Sequence, residues 1–180
     1  DARAEARLIE AVRSREYGFD PEGDKPESSN RLAPHWLVAT ALLRCCGTAA
    51  CLPVLAELAG SSGLLFNGRT AAAITIGRIA QRVALSELQR AQAAATLDKL
   101  LAGCEQHLNG PQRKLHEAPN LDAALAPTQR QRVVEDYVWQ LHLAVAKALR
   151  SLGLPLQPQA ARFLDDSRGM VRKAFQEVKS

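Results

Sequence analysis

Aromatic side chains are scarce in this 180-residue chain, at 4% of the total. Tyr17, Phe19, Trp36, Phe66, Tyr137, Trp139, Phe163 and Phe175 do not alternate with basic residues. The stacking surface of a single-strand nucleic-acid binder is therefore missing, and no dense basic stripe replaces it. No uncharged apolar run approaches the roughly 20 residues a membrane helix needs. The greasiest stretch, residues 36–58, is broken by Arg44, Gly47, Pro53 and Glu57. Strand-type alternation and hairpin turn signals are lacking too. These absences argue against nucleic acid and membrane as partners, and against a sheet.

Catalytic signatures are also lacking. There is no phosphate loop and no dinucleotide fingerprint. Gly60-Ser61-Ser62-Gly63 does not have the spacing of a nucleophile elbow, and His116-Glu117 has no second histidine to complete a zinc motif. The acidic pairs Glu135-Asp136 and Asp165-Asp166 are sequence neighbours. Neighbours on a helix diverge by about 100°, which makes them poor partners for acid/base work. Asp165-Asp166 reads as a cap for the last helix, and His35 and His142 read as packing residues. No catalytic, cofactor-binding or metal-binding residue is assigned, and no cofactor is expected.

Four cysteines are present, Cys45, Cys46, Cys51 and Cys104. Cys46 and Cys51 lack the second pair that a structural zinc site requires, and Cys104 with His107 is only a lone pair near His116. All four read as buried free thiols acting as small hydrophobes. Free thiols fit a reducing compartment, so the expected location is cytoplasmic. Arginine exceeds lysine and alanine abounds, a bias typical of GC-rich bacterial genomes. The chain begins at Asp1, as a processed chain or a piece of a longer protein does.

The net charge of +4 is uneven. Residues 1–30 carry five basic and eight acidic groups, whereas residues 31–180 carry eighteen basic and eleven acidic ones. An acidic arm thus precedes a basic body that can attract anionic partners.

Apolar residues recur at helical spacing through most of the chain. Helices are predicted over about 2–16, 33–46, 49–59, 69–83, 86–108, 128–152, 159–164 (a short helix or turn) and 167–178. Thr48, Ser86 and Thr128 are N-cap residues, and Gly47 and Gly153 are stops. Residues 17–30 and 109–127 are rich in Gly and Pro and read as connections, the second with one turn around 121–125. The organisation expected is an N-terminal helix and loop, residues 1–30, packed on a helical body, residues 31–180.

Residues 38–46 align with residues 72–80 at an offset of 34, placing Arg44 on Arg78. Residues 37–47 align with 143–153 at an offset of 106, placing Arg44 on Arg150. That second offset is about three periods of 35. Ala41-Leu42-Leu43-Arg44-Cys45-Cys46-Gly47-Thr48-Ala49-Ala50, followed by Cys51-Leu52-Pro53-Val54-Leu55-Ala56-Glu57-Leu58, resembles the HEAT-repeat family. The stretch from Asn67 to Ile79 is similar to the opening of that family's next unit, and Leu164 to Phe175 to the same junction. The resemblance covers about two-thirds of the chain, most strongly residues 33–80. It implies an all-α fold of antiparallel helix pairs stacked as a short, irregular α-α superhelix, a HEAT-like solenoid. The long helix near 86–108 and the Pro-rich stretch after it depart from a regular array. The Ala/Leu pattern by itself also suits an irregular helical bundle.

Leu43, Leu55 and Ile76 should line the seam between the first two helix pairs. The family resemblance implies a non-catalytic interaction module that binds a protein or another domain of its own parent. A second reading is an accessory helical domain of a larger enzyme, an oxidoreductase or lyase, with catalysis elsewhere. A third is a small all-α enzyme or ligand binder with a pocket between helices. Arg44, Arg69, Arg78, Arg82 and Arg150 are the candidate contacts for an acidic partner, because guanidinium forks pair well with carboxylates. The competing assignment is that these arginines join one repeat to the next.

Overall fold

Small residues decide which helices meet. The computed structural model describes residues 2–15, 18–19, 32–33, 35–60, 66–109 and 127–179, with side chains outside 16–34, 61–67, 103–137 and 179–180. Among them the protein is all-α, with eight α-helices packed on their neighbours. They are α1 (Ala2–Arg13), α2 (His35–Cys46), α3 (Leu52–Gly60), α4 (Phe66–Arg82), α5 (Glu87–Asn109), α6 (Pro127–Leu152), α7 (Pro158–Ala161) and α8 (Gly169–Lys179). Short 3-10 turns, Ala49–Cys51 and Arg162–Asp165, precede α3 and follow α7. One two-residue antiparallel pair also forms, β1 (Gly18–Phe19) with β2 (Leu32–Ala33), which no strand pattern in the sequence announces.

Two of the three N-caps behave as read; helix α6 begins at Pro127, so Thr128 lies inside it rather than before it. Thr48 Oγ1 accepts from the amide of Ala50 at 3.2 Å. Ser86 and Gln89 form a reciprocal capping box, with bonds of 3.0 and 3.2 Å. Gly153 adopts φ +64°, the left-handed C-terminal stop. Gly47 also follows a helix, but its φ is not positive. Its need is space: a Cβ there would lie 2.6 Å from Leu43 O and 2.8 Å from Cys51 Sγ. Helix α4 starts at Phe66, so Asn67 and Gly68 lie inside it rather than before it. Helix α1 stops at Arg13, short of the predicted end. Ser14 Oγ turns back to the carbonyl of Glu10 at 2.8 Å, and Arg15 has φ 54°.

Helices α2, α4 and α6 run parallel in one layer. Thr75 Oγ1 on α4 donates to the carbonyl of Thr40 on α2, thirty-five residues earlier. Arg82, at the end of α4, reaches Gly47, just past α2, again thirty-five residues earlier. The α4/α6 contact is the most extensive between any two described helices. Gly77 permits it, because a Cβ there would sit 2.8 Å from Ala148 Cα. Farther along, Gln81 Nε2 donates to Ser151 Oγ, seventy residues on. Helix α6 therefore lies directly against α4 although two periods of sequence separate them. The three-period count had implied an intervening unit.

Helices α3 and α5 pack on each other in the second layer, and α5 also meets α7. The expected unit of α2 with α3 is not the packing pair, for the two barely touch. Helix α3 instead packs on α4, α1 on α2, α5 on α6, and α8 on α6. Pairing is thus shifted by one helix from the phase expected of the sequence. Helix α3, with Val54, Leu55, Leu58 and Ala59 buried, packs chiefly on α4 and α5 and to a lesser extent on α1.

Leu43, Leu55 and Ile76 are all buried, as expected of the seam. Cys51 is buried, but Cys45 and Cys46 are exposed. The core side of α2 is Trp36, Ala39, Thr40 and Leu43. Steps of about 100° per residue carry Cys45 and Cys46 away from it. His35, expected to pack, is exposed for the same reason. The side chains of Cys104, His107, Tyr137 and Glu135-Asp136 lie outside the described part, as do His116, Gly60-Ser61-Ser62-Gly63 beyond Gly60, and most of the connections at 17–30 and 109–127.

Candidate functional site

Parallel helices align their dipoles, so the negative C-terminal ends of α2, α4 and α6 lie side by side. Each carries an arginine in its last turn: Arg44, Arg82 and Arg150. Arg82 shows what such a residue does. Its Nη2 donates to the carbonyl of Gly47 at 2.6 Å, which joins α4 to the end of α2.

The five arginines singled out in the sequence do not form one row. The alignment offset of 34 differs by one residue from the spatial register of thirty-five. One residue turns a helical side chain by about 100°. Arg44 is half-buried, and its Nε is buried without a hydrogen-bond partner among the described residues. Arg69 is 3% exposed in the first turn of α4. Arg78 and Arg150 do come together, on a groove of about 740 Å³ between α4 and α6.

Small residues, Gly77, Ala144 and Ala148, floor that groove. Arg78, Lys147 and Arg150 supply three cations, and no Asp or Glu lines it. Arg78 Nη1 donates to Gln81 Oε1 at 3.1 Å. Arg150 Nη1 meets Glu177 Oε2 of α8 at 2.8 Å, with both side chains largely exposed. Lys147 and Trp139 were missed in the sequence, although Lys147 stands three residues before Arg150 and so shares its helix face.

Two polar clusters, one around the buried His142 and one around the buried Cys51, lie elsewhere. His142 is 4% exposed, and its Nδ1 meets Arg168 Nη2 at 2.9 Å. Arg168 in turn grips both carboxylate oxygens of Asp166, at 2.9 and 2.8 Å. Asp166 Oδ1 also accepts the Arg168 amide at 2.8 Å, one residue before α8 begins. Asp166 of the predicted acidic cap therefore does organise that junction. Burial, and then the Arg168 charge, push the His142 pKa down to about 4, against the pull of Asp166. A neutral imidazole accepting at Nδ1 holds its proton on Nε2, which is buried without a partner among the described residues. The ring packs against Phe163 with centroids 4.5 Å apart.

Glu5 of α1 forms the second cluster. Its Oε1 accepts from the Thr48 amide at 2.7 Å, the Thr48 hydroxyl at 2.8 Å and the Cys51 thiol at 3.0 Å. Burial pushes the Cys51 thiol up to about 12, and the Glu5 carboxylate adds to the effect. Such a thiol is not a nucleophile near neutral pH. Among the described residues no group of His, Cys, Asp and Glu is arranged to hold a metal ion, and no helix is long and apolar enough to cross a membrane.

No protein-family model, curated protein or solved structure matches the chain. Its own geometry then has to carry the functional reading, and the α4/α6 groove is a site where exposed charge and concavity coincide.

Proposed function

We propose that the chain is a non-catalytic helical interaction module, built as a short HEAT-like stack, which binds a protein or another domain of its parent. The parallel layer of α2, α4 and α6, with two hydrogen bonds spanning thirty-five residues, is the observation that carries it. A stack that repeats at such an interval buries its apolar faces between neighbours and leaves long grooves outside. The buried titratable groups are chemically quiet: Cys51 stays a thiol and His142 stays neutral around pH 7. The exposed cations of the α4/α6 groove are the contact surface, whereas Arg82 serves the stack itself.

Panning a display library of short peptides against the whole chain tests this. Enriched peptides should bind saturably, one per chain, and shift backbone amide resonances of α4 and α6 in preference to other helices. Recovery of no saturable binder would sink the reading.

A further inference from the structure

We infer that the α4/α6 groove takes a short acidic polypeptide segment, with its carboxylates at the Arg78, Lys147 and Arg150 end and an apolar side chain at the Trp139 end. This deepens the interaction-module reading and rests on it.

Charge is the first argument. Three cations face the groove and no carboxylate lines it. No carboxylate pairs with Lys147 among the described residues, and Arg78 holds only the amide oxygen of Gln81. The Arg150–Glu177 contact is exposed on both sides. An exposed pair of that kind is worth about 0–1 kcal/mol, so an incoming carboxylate can displace it.

Shape and direction are the second. Because Gly77 brings α4 against Ala148, the floor is backbone and small side chains, which leaves room for a peptide main chain. Gln140, exposed on the wall, offers it a hydrogen-bond partner. Parallel helices make residue number rise the same way along both walls. Thr70 and Trp139 therefore mark one end, and Gln81 and Ser151 the other. From Thr70 to Gln81 the wall is about 16 Å long at 1.5 Å per residue. An extended peptide of about five residues spans that length. Nucleic acid suits the groove less well, since Trp139 is its single aromatic residue and no series of bases can stack.

Fluorescence anisotropy with the whole chain tests the inference. The probes are fluorescein-labelled Leu-Ala-Glu-Glu-Glu, its Gln twin Leu-Ala-Gln-Gln-Gln, and a ten-nucleotide oligo-dT. The acidic peptide should bind saturably, and its Gln twin should bind at least about tenfold more weakly, as a charge-driven contact requires. Arg78→Glu with Lys147→Glu should weaken binding about tenfold or more, while Lys99→Glu, on the exposed side of α5, should change it less than about twofold. Should the double reversal lower the melting temperature, the neutral pair Arg78→Gln with Lys147→Gln replaces it. In a Trp36→Phe background Trp139 is the sole tryptophan. Its emission should shift on binding Leu-Ala-Glu-Glu-Glu and stay put with Ala-Ala-Glu-Glu-Glu. Equal weakening by Lys99→Glu, tighter binding of oligo-dT, or no saturable binding of the acidic peptide would each overturn the inference. If display-selected peptides then bind another face, the module reading survives the loss of the groove. If no peptide of any charge binds, both fall.

Discussion

Glu5 caps a helix forty-three residues away: its carboxylate accepts both the amide and the hydroxyl of Thr48. Thr48 in turn caps the 3-10 turn that leads into α3, so one oxygen of α1 ties down the start of the next layer. Burial alone would raise the Glu5 pKa. Hydrogen bonds from Cys51 and Thr48 outweigh it, and the net shift is downward. Glu5→Ala should cost about 1–2 kcal/mol in urea melts, as loss of a charged cap does. The contribution is present above the ordinary carboxylate pKa and is lost as pH falls through the lowered folded value. A variant as stable as the parent at pH 7 would show that α1 docks without this contact.

Gly77 and Gly60 make a matched pair of tests. A Cβ at Gly77 meets the backbone of Ala148, which cannot step aside, whereas at Gly60 nothing among the described residues lies within 4 Å. Gly77→Ala should destabilise by about 1–3 kcal/mol, in the range of overpacked cores. Gly60→Ala, at the last residue of α3, should be neutral or stabilise by up to about 1 kcal/mol. Thermal and urea melts of the two variants read this directly, and the reverse order would mean that α4 and α6 do not approach closely.

His142 makes stability depend on pH. Its folded pKa, about 4, lies below the unfolded value of 6.5. Between those values the unfolded chain binds the extra proton, so stability falls as pH drops from about 6.5 to 4 and levels off below. At 1.36 kcal/mol per unit the loss is on the order of 3 kcal/mol. Asp166, held low chiefly by the Arg168 hydrogen bond, adds a loss in the same direction at still lower pH. Urea melts from pH 7 to 4 should show the slope, and His142→Gln should flatten it. An unchanged slope in that variant would assign the titration elsewhere.

Arg82 and Arg78 should separate cleanly. Arg82→Ala removes the bond to the Gly47 carbonyl and should cost about 1–2 kcal/mol of stability. Arg78→Ala, exposed with only Gln81 as partner, should leave the melting temperature within about a degree of the parent. Equal melting temperatures would remove Arg82 from the joint between α2 and α4.

Local signals were legible in the sequence because their causes span a few residues. Ser86 with Gln89, Thr48 with Ala50 and the left-handed Gly153 each act within one turn, and they set the helix boundaries to within a few residues. Burial of Leu43, Leu55 and Ile76 followed from helical periodicity, which registers only that one side of each helix is apolar. Periodicity does not say which helix comes to lie against that side. The partnership of α3 with α4, the direct seating of α6 on α4, and the outward turn of His35, Cys45 and Cys46 were decided by tertiary packing. The same holds for the site. Arg78 and Arg150 were visible as charges, but the groove that joins them to Lys147 and Trp139 exists because Gly77 lacks a side chain where Ala148 approaches. That approach joins residues about seventy positions apart, a distance across which sequence pattern carries no record of contact.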